Sequence, residues 1–214
     1  MFFTHQSFQE FLAAQYAWEK PEAKNQVIGE MWQPRWREVL KFLVWLDESG
    51  EMLRAIYPGP DMDNVLYSRL FLAAQCLSED IRGETAFSRE VFDGLMDLAV
   101  KPPFISQAVT ALIRLDIPSN RKRLIQLLAN QRFLLLEILN QGPPLIQKIV
   151  YLLEPFLKDE NPSIRFKVAA IILDILKNMP RGWVPAMAQG LEAEDVPISE
   201  SAIVDLTQHL EDKE

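Results

Sequence analysis

The sequence predicts an all-α protein whose second half consists of repeated pairs of helices. Apolar residues recur at helical spacing along almost the whole chain, and no segment alternates apolar and polar residues as a strand does. Proline and glycine separate these apolar runs, as at Pro58-Gly59-Pro60. The chain has 214 residues, of which 49% are hydrophobic and 24% are charged, so it can bury a full core without disulfides.

The first helix is predicted to begin at Ser7. Ser7 and Glu10 have the spacing of a capping box, in which each side chain accepts a hydrogen bond from a backbone amide at the start of the helix. Four apolar side chains then fall on one face of this helix: Phe8, Phe11, Leu12 and Tyr16.

The polar segment from 20 to 30 contains Pro21 and Gly29 and is predicted to be a loop. The next helix begins near Pro34, carries an apolar stripe, and ends near Gly50. That stripe consists of Trp36, Val39, Leu40, Leu43 and Leu46. Further helices are predicted at about 64–79, 89–100, 104–115, 119–130, 132–140, 144–158, 162–178, 183–193 and 199–210.

The second half of the chain has a repeating pattern. Phe104, Pro143 and Gly182 each begin an apolar helix, at intervals of 39 residues (104 to 143 and 143 to 182), and a second helix follows each of them. Two helices in about 40–47 residues is the period of HEAT and armadillo arrays. Such units bury their apolar faces against their neighbours, so the pattern predicts a HEAT/armadillo-like solenoid.

Charge and residue usage indicate a protein without catalytic machinery. The 22 basic and 30 acidic residues leave a net charge of -8, which disfavours nucleic acid and anionic membranes as partners. A single cysteine excludes multi-cysteine metal sites, and the two histidines lie too far apart for a paired-histidine motif. Neither a signal peptide nor a run of roughly 20 apolar residues is visible. We expect a cytoplasmic protein that is not an enzyme and holds no cofactor or metal.

One segment of the second half resembles the HEAT-repeat consensus. It runs Asp159-Glu-Asn-Pro-Ser-Ile-Arg165-Phe-Lys-Val-Ala-Ala170. In that family an Asp in the turn and an Arg early in the second helix form a polar ladder between repeats, and Asp159 and Arg165 occupy those positions. Val168 departs from the family pattern, which has a small residue there.

The N-terminal segment Phe3-Thr-His5-Gln-Ser-Phe8-Gln-Glu10-Phe-Leu-Ala-Ala14 resembles a motif of NACHT-type signalling ATPases, Phe-x-His-x-(Ser/Thr)-Phe-Gln-Glu-(Phe/Tyr)-Leu-Ala-Ala. In that family the motif ends the winged-helix domain. Trp36-Arg-Glu-Val-Leu40 and Arg69-Leu-Phe-Leu-Ala-Ala-Gln-Cys-Leu77 are similar to stretches that follow it in bacterial members. The resemblance covers about residues 1–79. It implies a winged-helix remnant over 1–19, a helical linker region over 20–101 and HEAT-like repeats over 102–214.

The chain has no glycine-rich phosphate loop and no apolar strand that ends in acidic metal ligands. In the family the motif histidine contacts the phosphates of bound ADP. His5 matches that histidine but has no nucleotide module to serve. We therefore expect a non-catalytic scaffold that binds a protein partner, similar to the sensor-side C-terminal part of such an ATPase. The alternatives are a HEAT-like phycobilin lyase or another small-molecule-binding repeat protein, and a HEAT-like DNA glycosylase, which the negative charge disfavours.

Several residues allow a structural and a functional interpretation. Cys76, in an apolar helix, is interpreted as a buried structural thiol rather than a nucleophile. Arg121-Lys122-Arg123 is interpreted as a solvated helix start rather than a nucleic-acid site. Phe2 and Phe3 are expected to mediate weak self-association. Core packing, rather than a ligand pocket, is the interpretation for four tryptophans: Trp18, Trp32, Trp36 and Trp45.

Overall fold

The computed structural model describes residues 3–78, 84–131 and 133–180, without the side chains of residues 3–6. All secondary structure within these ranges is helical, which confirms the all-α prediction. The chain divides into two compact units, Met1–Asp97 and Leu98–Glu214. None of the helices in the described ranges combines the length and the apolarity needed to cross a bilayer.

The first unit is built on the packing of the first helix, α1, against the third, α3. Leu40 and Leu43 of α3 are fully buried, together with Met52 and Ile56 of α4 and Leu70 of α5. The helices of this unit are α1 (Phe3–Glu19), α2 (Pro21–Gly29), α3 (Arg37–Leu46), α4 (Glu51–Ile56), α5 (Ser68–Leu77) and α6 (Ala86–Leu98), with 3₁₀ turns at Pro34–Trp36 and Pro60–Met62.

Two local predictions for the first unit are wrong. The helix α1 begins at Phe3, so Ser7 is an interior residue and not its N-cap. No proline or glycine interrupts residues 3–19, so nothing in the sequence prevents the earlier start. The segment predicted as a loop contains α2. Pro21 is the first residue of this helix, where proline is tolerated, and the burial of Val27 anchors the helix to the unit.

The described part of the second unit, up to residue 180, contains two pairs of helices with one extra helix between them. Its helices are α7 (Ile105–Leu115), α8 (Arg121–Asn130), α9 (Phe133–Asn140), α10 (Pro143–Leu153) and α11 (Pro162–Asn178), with 3₁₀ turns at Pro118–Asn120 and Glu154–Lys158. The bounds of α11 coincide with the prediction. Its predicted inner face is also confirmed, because all five of these residues are buried: Ile164, Val168, Ile171, Ile172 and Ile175.

Equivalent helices of the two pairs pack against each other, α10 against α7 and α11 against α8. The buried positions 108, 109, 112 and 115 of α7 recur in α10 at 145, 146, 149 and 152, a shift of 37 residues. The helices themselves start 38 residues apart, at Ile105 and Pro143, close to the predicted interval of 39. The third predicted start, Gly182, and the helices predicted at 183–193 and 199–210 lie outside the described residues.

Candidate functional site

A pocket of about 280 Å³ opens in the first unit between α1, α3 and α5. Its walls are largely apolar and include Cys76 of α5. The lining residues are Phe11 from α1, Glu38, Lys41, Phe42, Val44 and Trp45 from α3, and Cys76 from α5.

Three aromatic rings form one side of the pocket. Phe11 makes edge-to-face contacts with Phe42 and Trp45, at ring-centroid distances of 5.6 and 6.4 Å. Aromatic pairs prefer this arrangement because the positive ring edge meets the negative ring face. Trp45 is nevertheless 48% exposed. The rings therefore hold one another in place and still present apolar surface to a ligand.

One ion pair provides the charged groups of the pocket. The ammonium Nζ of Lys41 lies 2.8 Å from Oε1 of Glu38, one helical turn away on α3. The Lys41 side chain is mostly buried, whereas the Glu38 side chain is about half exposed. Because the two charges compensate each other, the pocket favours an apolar group without a net charge.

A buried carboxylate fixes the corner that follows α3. Asp47 is only 1% exposed, and its carboxylate accepts hydrogen bonds from the backbone amides of Ser49 (3.0 Å) and Met52 (2.6 Å) and from the Ser49 hydroxyl. Burial raises the pKa of Asp47, but these hydrogen bonds outweigh it and hold the pKa below its usual value. The carboxylate caps the start of α4, so α3 ends at Leu46 rather than at Gly50, where the sequence predicts its end.

The prediction that four tryptophans pack in the core is wrong. Trp18, Trp32 and Trp45 are each more than one third exposed, and Trp36 is half-buried. Each of them lies at the edge of the helix packing. The Trp36 indole Nε1 donates to Glu30, and the Trp18 ring lies under the Lys24 ammonium, so polar partners replace full burial.

The apolar face predicted for α1 exists, but it points mainly to solvent. Phe8 is 58% exposed, Leu12 45% and Tyr16 61%, whereas Phe11 turns towards α3. Among residues 7–19, α1 buries Ala14 and Ala17, whose small side chains let the helix lie close to α3. Close packing through alanine leaves the larger side chains on the outside.

The predicted ladder residues make different contacts from those expected. Nη1 of Arg165 donates to the backbone carbonyls of Asp159 (2.8 Å) and Glu160 (3.0 Å), not to the Asp159 carboxylate. That carboxylate pairs instead with Nζ of Lys122 at 2.9 Å, which connects α8 to the start of α11. This ion pair holds the pKa of Asp159 below its usual value.

The remaining site predictions have mixed outcomes. Cys76 is buried, as predicted, and also lines the pocket. In the basic run, Arg121 forms a two-point ion pair with Asp116 at 2.7 and 2.9 Å, so this residue is bound within its own unit rather than simply solvated.

At the N-terminus, Phe2 and the side chains of Phe3 and His5 lie outside the described residues. Glu10 is half-buried within α1, away from the start of the helix.

The sequence contained a signal for the pocket. Glu38, Phe42 and Trp45 recur at helical spacing on α3, beside the main apolar stripe. This second face has fewer apolar residues than the first, and it forms a pocket only because Phe11 of α1 lies against it. That contact depends on tertiary packing.

Comparison with known proteins identifies no relative. No protein-family model matches the chain, and neither the curated proteins nor the solved structures contain a significant match.

Proposed function

We propose that this chain is a non-catalytic helical scaffold that binds a protein partner, and that the aromatic pocket of the first unit receives an apolar side chain of that partner. The pocket is the observation that supports the proposal. Interfaces concentrate their binding energy in a few apolar anchors that fill such pockets. The partially exposed ring of Trp45 would contact the anchor side chain directly.

The size of the pocket favours a side chain over a whole cofactor. Sites for drug-sized ligands usually measure about 300–1,000 Å³. At about 280 Å³, with one side open to solvent, this pocket is smaller than most of them. It accommodates one large apolar side chain, and the surrounding helix surfaces supply the rest of an interface.

The second unit supports the scaffold part of the proposal. Polar contacts link residues 34, 35 and 37 positions apart: Lys148 to the carbonyl of Arg114, Gln141 to Ser106, and Lys122 to Asp159. A nearly constant separation is what stacked repeats produce. We propose that the unit is a HEAT-like array, and that the chain is similar to the sensor-side part of a NACHT-type ATPase on the strength of its N-terminal motif.

The test uses two tryptophans with matched exposure. Trp45 in the pocket is 48% exposed, and Trp32 outside it is 47% exposed. Partners are captured from native lysate with three tagged proteins: the wild type, Trp45→Ala and Trp32→Ala. The amount of each captured partner is then quantified by mass spectrometry. For a partner that binds the pocket, the wild type and Trp32→Ala are expected to capture similar amounts. Trp45→Ala is expected to capture about tenfold less, the loss typical of an interface hot spot.

The captured protein is then purified and its affinity for all three proteins is measured by calorimetry. An equal affinity for the wild type and Trp45→Ala would contradict the proposed role of the pocket. Unchanged melting temperatures of the two variants confirm that any difference arises at the surface.

A further inference from the structure

A second interaction surface lies on the outer side of α1. Between Phe8 and Tyr16, the exposed residues are Phe8, Gln9, Leu12, Gln15 and Tyr16. None of them is charged, although the chain as a whole carries a net charge of -8. An uncharged strip containing three large apolar side chains is unusual on a helix that faces solvent.

The order of residues in this strip, which we call the α1 face, is nearly palindromic. Leu12 is at its centre, an amide follows three positions away on each side (Gln9 and Gln15), and an aromatic residue follows four positions away (Phe8 and Tyr16). Two copies of a helix in antiparallel contact align residue k of one copy with residue 24 − k of the other when Leu12 lies on the symmetry axis. Phe8 then meets Tyr16, Gln9 meets Gln15, and Leu12 meets its own counterpart.

We propose that a second copy of this chain binds the α1 face in an antiparallel, two-fold symmetric contact centred on Leu12. A two-fold interface requires a surface that is complementary to itself, and the α1 face meets this condition. Glu10 is the charged residue of this segment, and it is half-buried rather than part of the α1 face. Because none of the exposed residues between Phe8 and Tyr16 is charged, the α1 face adds no charge repulsion between two copies. This proposal concerns a different surface from the aromatic pocket and does not depend on it.

The available area limits the strength of this contact. An aromatic side chain can bury about 150–250 Å². At the observed exposures, the three apolar side chains offer on the order of 350 Å² per copy. Stable interfaces bury about 800 Å² per partner. We therefore expect a weak dimer that forms at high protein concentration.

Cysteine cross-linking tests the geometry in a Cys76→Ser background. Leu12→Cys is expected to form a disulfide with itself under mild oxidation. A mixture of Phe8→Cys and Tyr16→Cys is expected to form the mixed dimer. Phe8→Cys alone is expected to link poorly, because two copies of position 8 would lie about 12 Å apart along the helix axes. Disulfides require Cα atoms within about 7 Å of each other.

Sedimentation provides the second measurement. The weight-average mass of the wild type is expected to rise above 24.6 kDa with concentration, and Leu12→Asp should keep it at the monomer value. Leu66→Asp, at a 62% exposed leucine outside α1, is the matched control and should behave as the wild type. The proposal is overturned if Leu12→Cys links no faster than Leu66→Cys, if Phe8→Cys links to itself as fast as Leu12→Cys, or if the wild type stays monomeric.

Discussion

Asp47 shows how a single buried side chain shapes the first unit. Its carboxylate accepts hydrogen bonds from the backbone amides of Ser49, in the turn after α3, and of Met52, in the first turn of α4, and the residues that follow α3 therefore turn instead of continuing the helix. We expect Asp47→Ala to lower the free energy of unfolding by about 2–3 kcal/mol, because hydrogen bonds to a charged group would be lost from a buried site. Urea denaturation measures this loss. Glu48→Ala, at the exposed neighbouring residue, is the control and should change the free energy of unfolding by less than about 0.5 kcal/mol.

The lowered pKa of Asp47 also predicts a pH dependence. The carboxylate is bound more tightly in its charged form in the folded protein than in the unfolded chain. Its contribution to stability is therefore present above the unfolded pKa of about 3.9 and is lost as the pH falls through the folded pKa. The difference in urea midpoint between the wild type and Asp47→Asn should be large at pH 7 and should shrink towards pH 3. A difference in urea midpoint that is constant from pH 7 to pH 3 would show that the ionised Asp47 carboxylate is not the source of this stability.

Arg165 has a smaller role than the family resemblance implies. It is exposed, and its guanidinium binds two backbone carbonyls next to its own helix. Arg165→Ala should change the free energy of unfolding by no more than about 0.5 kcal/mol. Arg121→Ala breaks the two-point pair with Asp116 and should cost about 1–2 kcal/mol, after allowance for partial exposure. Chemical denaturation measures the loss of unfolding free energy in both variants. A larger loss for Arg165→Ala than for Arg121→Ala would support the polar ladder that the resemblance implies for Arg165.

At the scale of elements, α6 and α5 approach each other closely through a glycine. A Cβ atom added to Gly94 would lie 3.2 Å from both terminal methyl groups of Leu70, which is almost fully buried. Overpacking costs about 1–3 kcal/mol, whereas alanine gains about 1 kcal/mol in helix propensity over glycine. We expect Gly94→Ala to destabilise the protein by about 1 kcal/mol, as measured by thermal or chemical unfolding.

Gly29 offers a matched comparison. It is the last residue of α2, and nothing lies within 4 Å of the position that a Cβ would take. Gly29→Ala should leave the stability unchanged or raise it by up to about 1 kcal/mol. If Gly94→Ala behaved in the same way, the close contact between Gly94 and Leu70 would not limit the packing of α5 and α6.

The sequence pattern predicts both bounds of α11, but it misses α2 and places the end of α3 four residues too late. Pro162 marks the start of α11, and its apolar stripe marks how far the helix extends. Both bounds can be predicted because burial and local capping favour the same segment. Residues 20–30 have no comparable stripe, and α2 forms because the unit buries Val27. Three of the four residues of the apolar face predicted for α1 share the exposed side of the helix, whereas Phe11 turns towards α3. The small alanines Ala14 and Ala17 on the opposite side determine which side is buried.

At the scale of the whole molecule, the sequence predicts that nucleotide binding is absent. The chain contains no phosphate loop with lysine and serine or threonine. We expect no heat of binding when ATP with Mg²⁺ is titrated into the protein at micromolar concentrations, and no phosphate release above the rate in buffer. Micromolar affinity in this titration would contradict the proposed similarity to the sensor-side part of an ATPase and would indicate an unrecognised nucleotide site.

The sequence alone determined the helical class, the break at Pro58-Gly59-Pro60 and the buried state of Cys76, because helical periodicity and proline act over a few residues. Tertiary structure decided the rest. It placed Phe11 against Phe42 and Trp45 to form the pocket, exchanged the expected Arg165 contact for the Lys122–Asp159 pair, and left Phe8, Leu12 and Tyr16 exposed. Each of these outcomes depends on residues distant in sequence that compete for the same partner or the same buried volume, and local spacing does not record that competition.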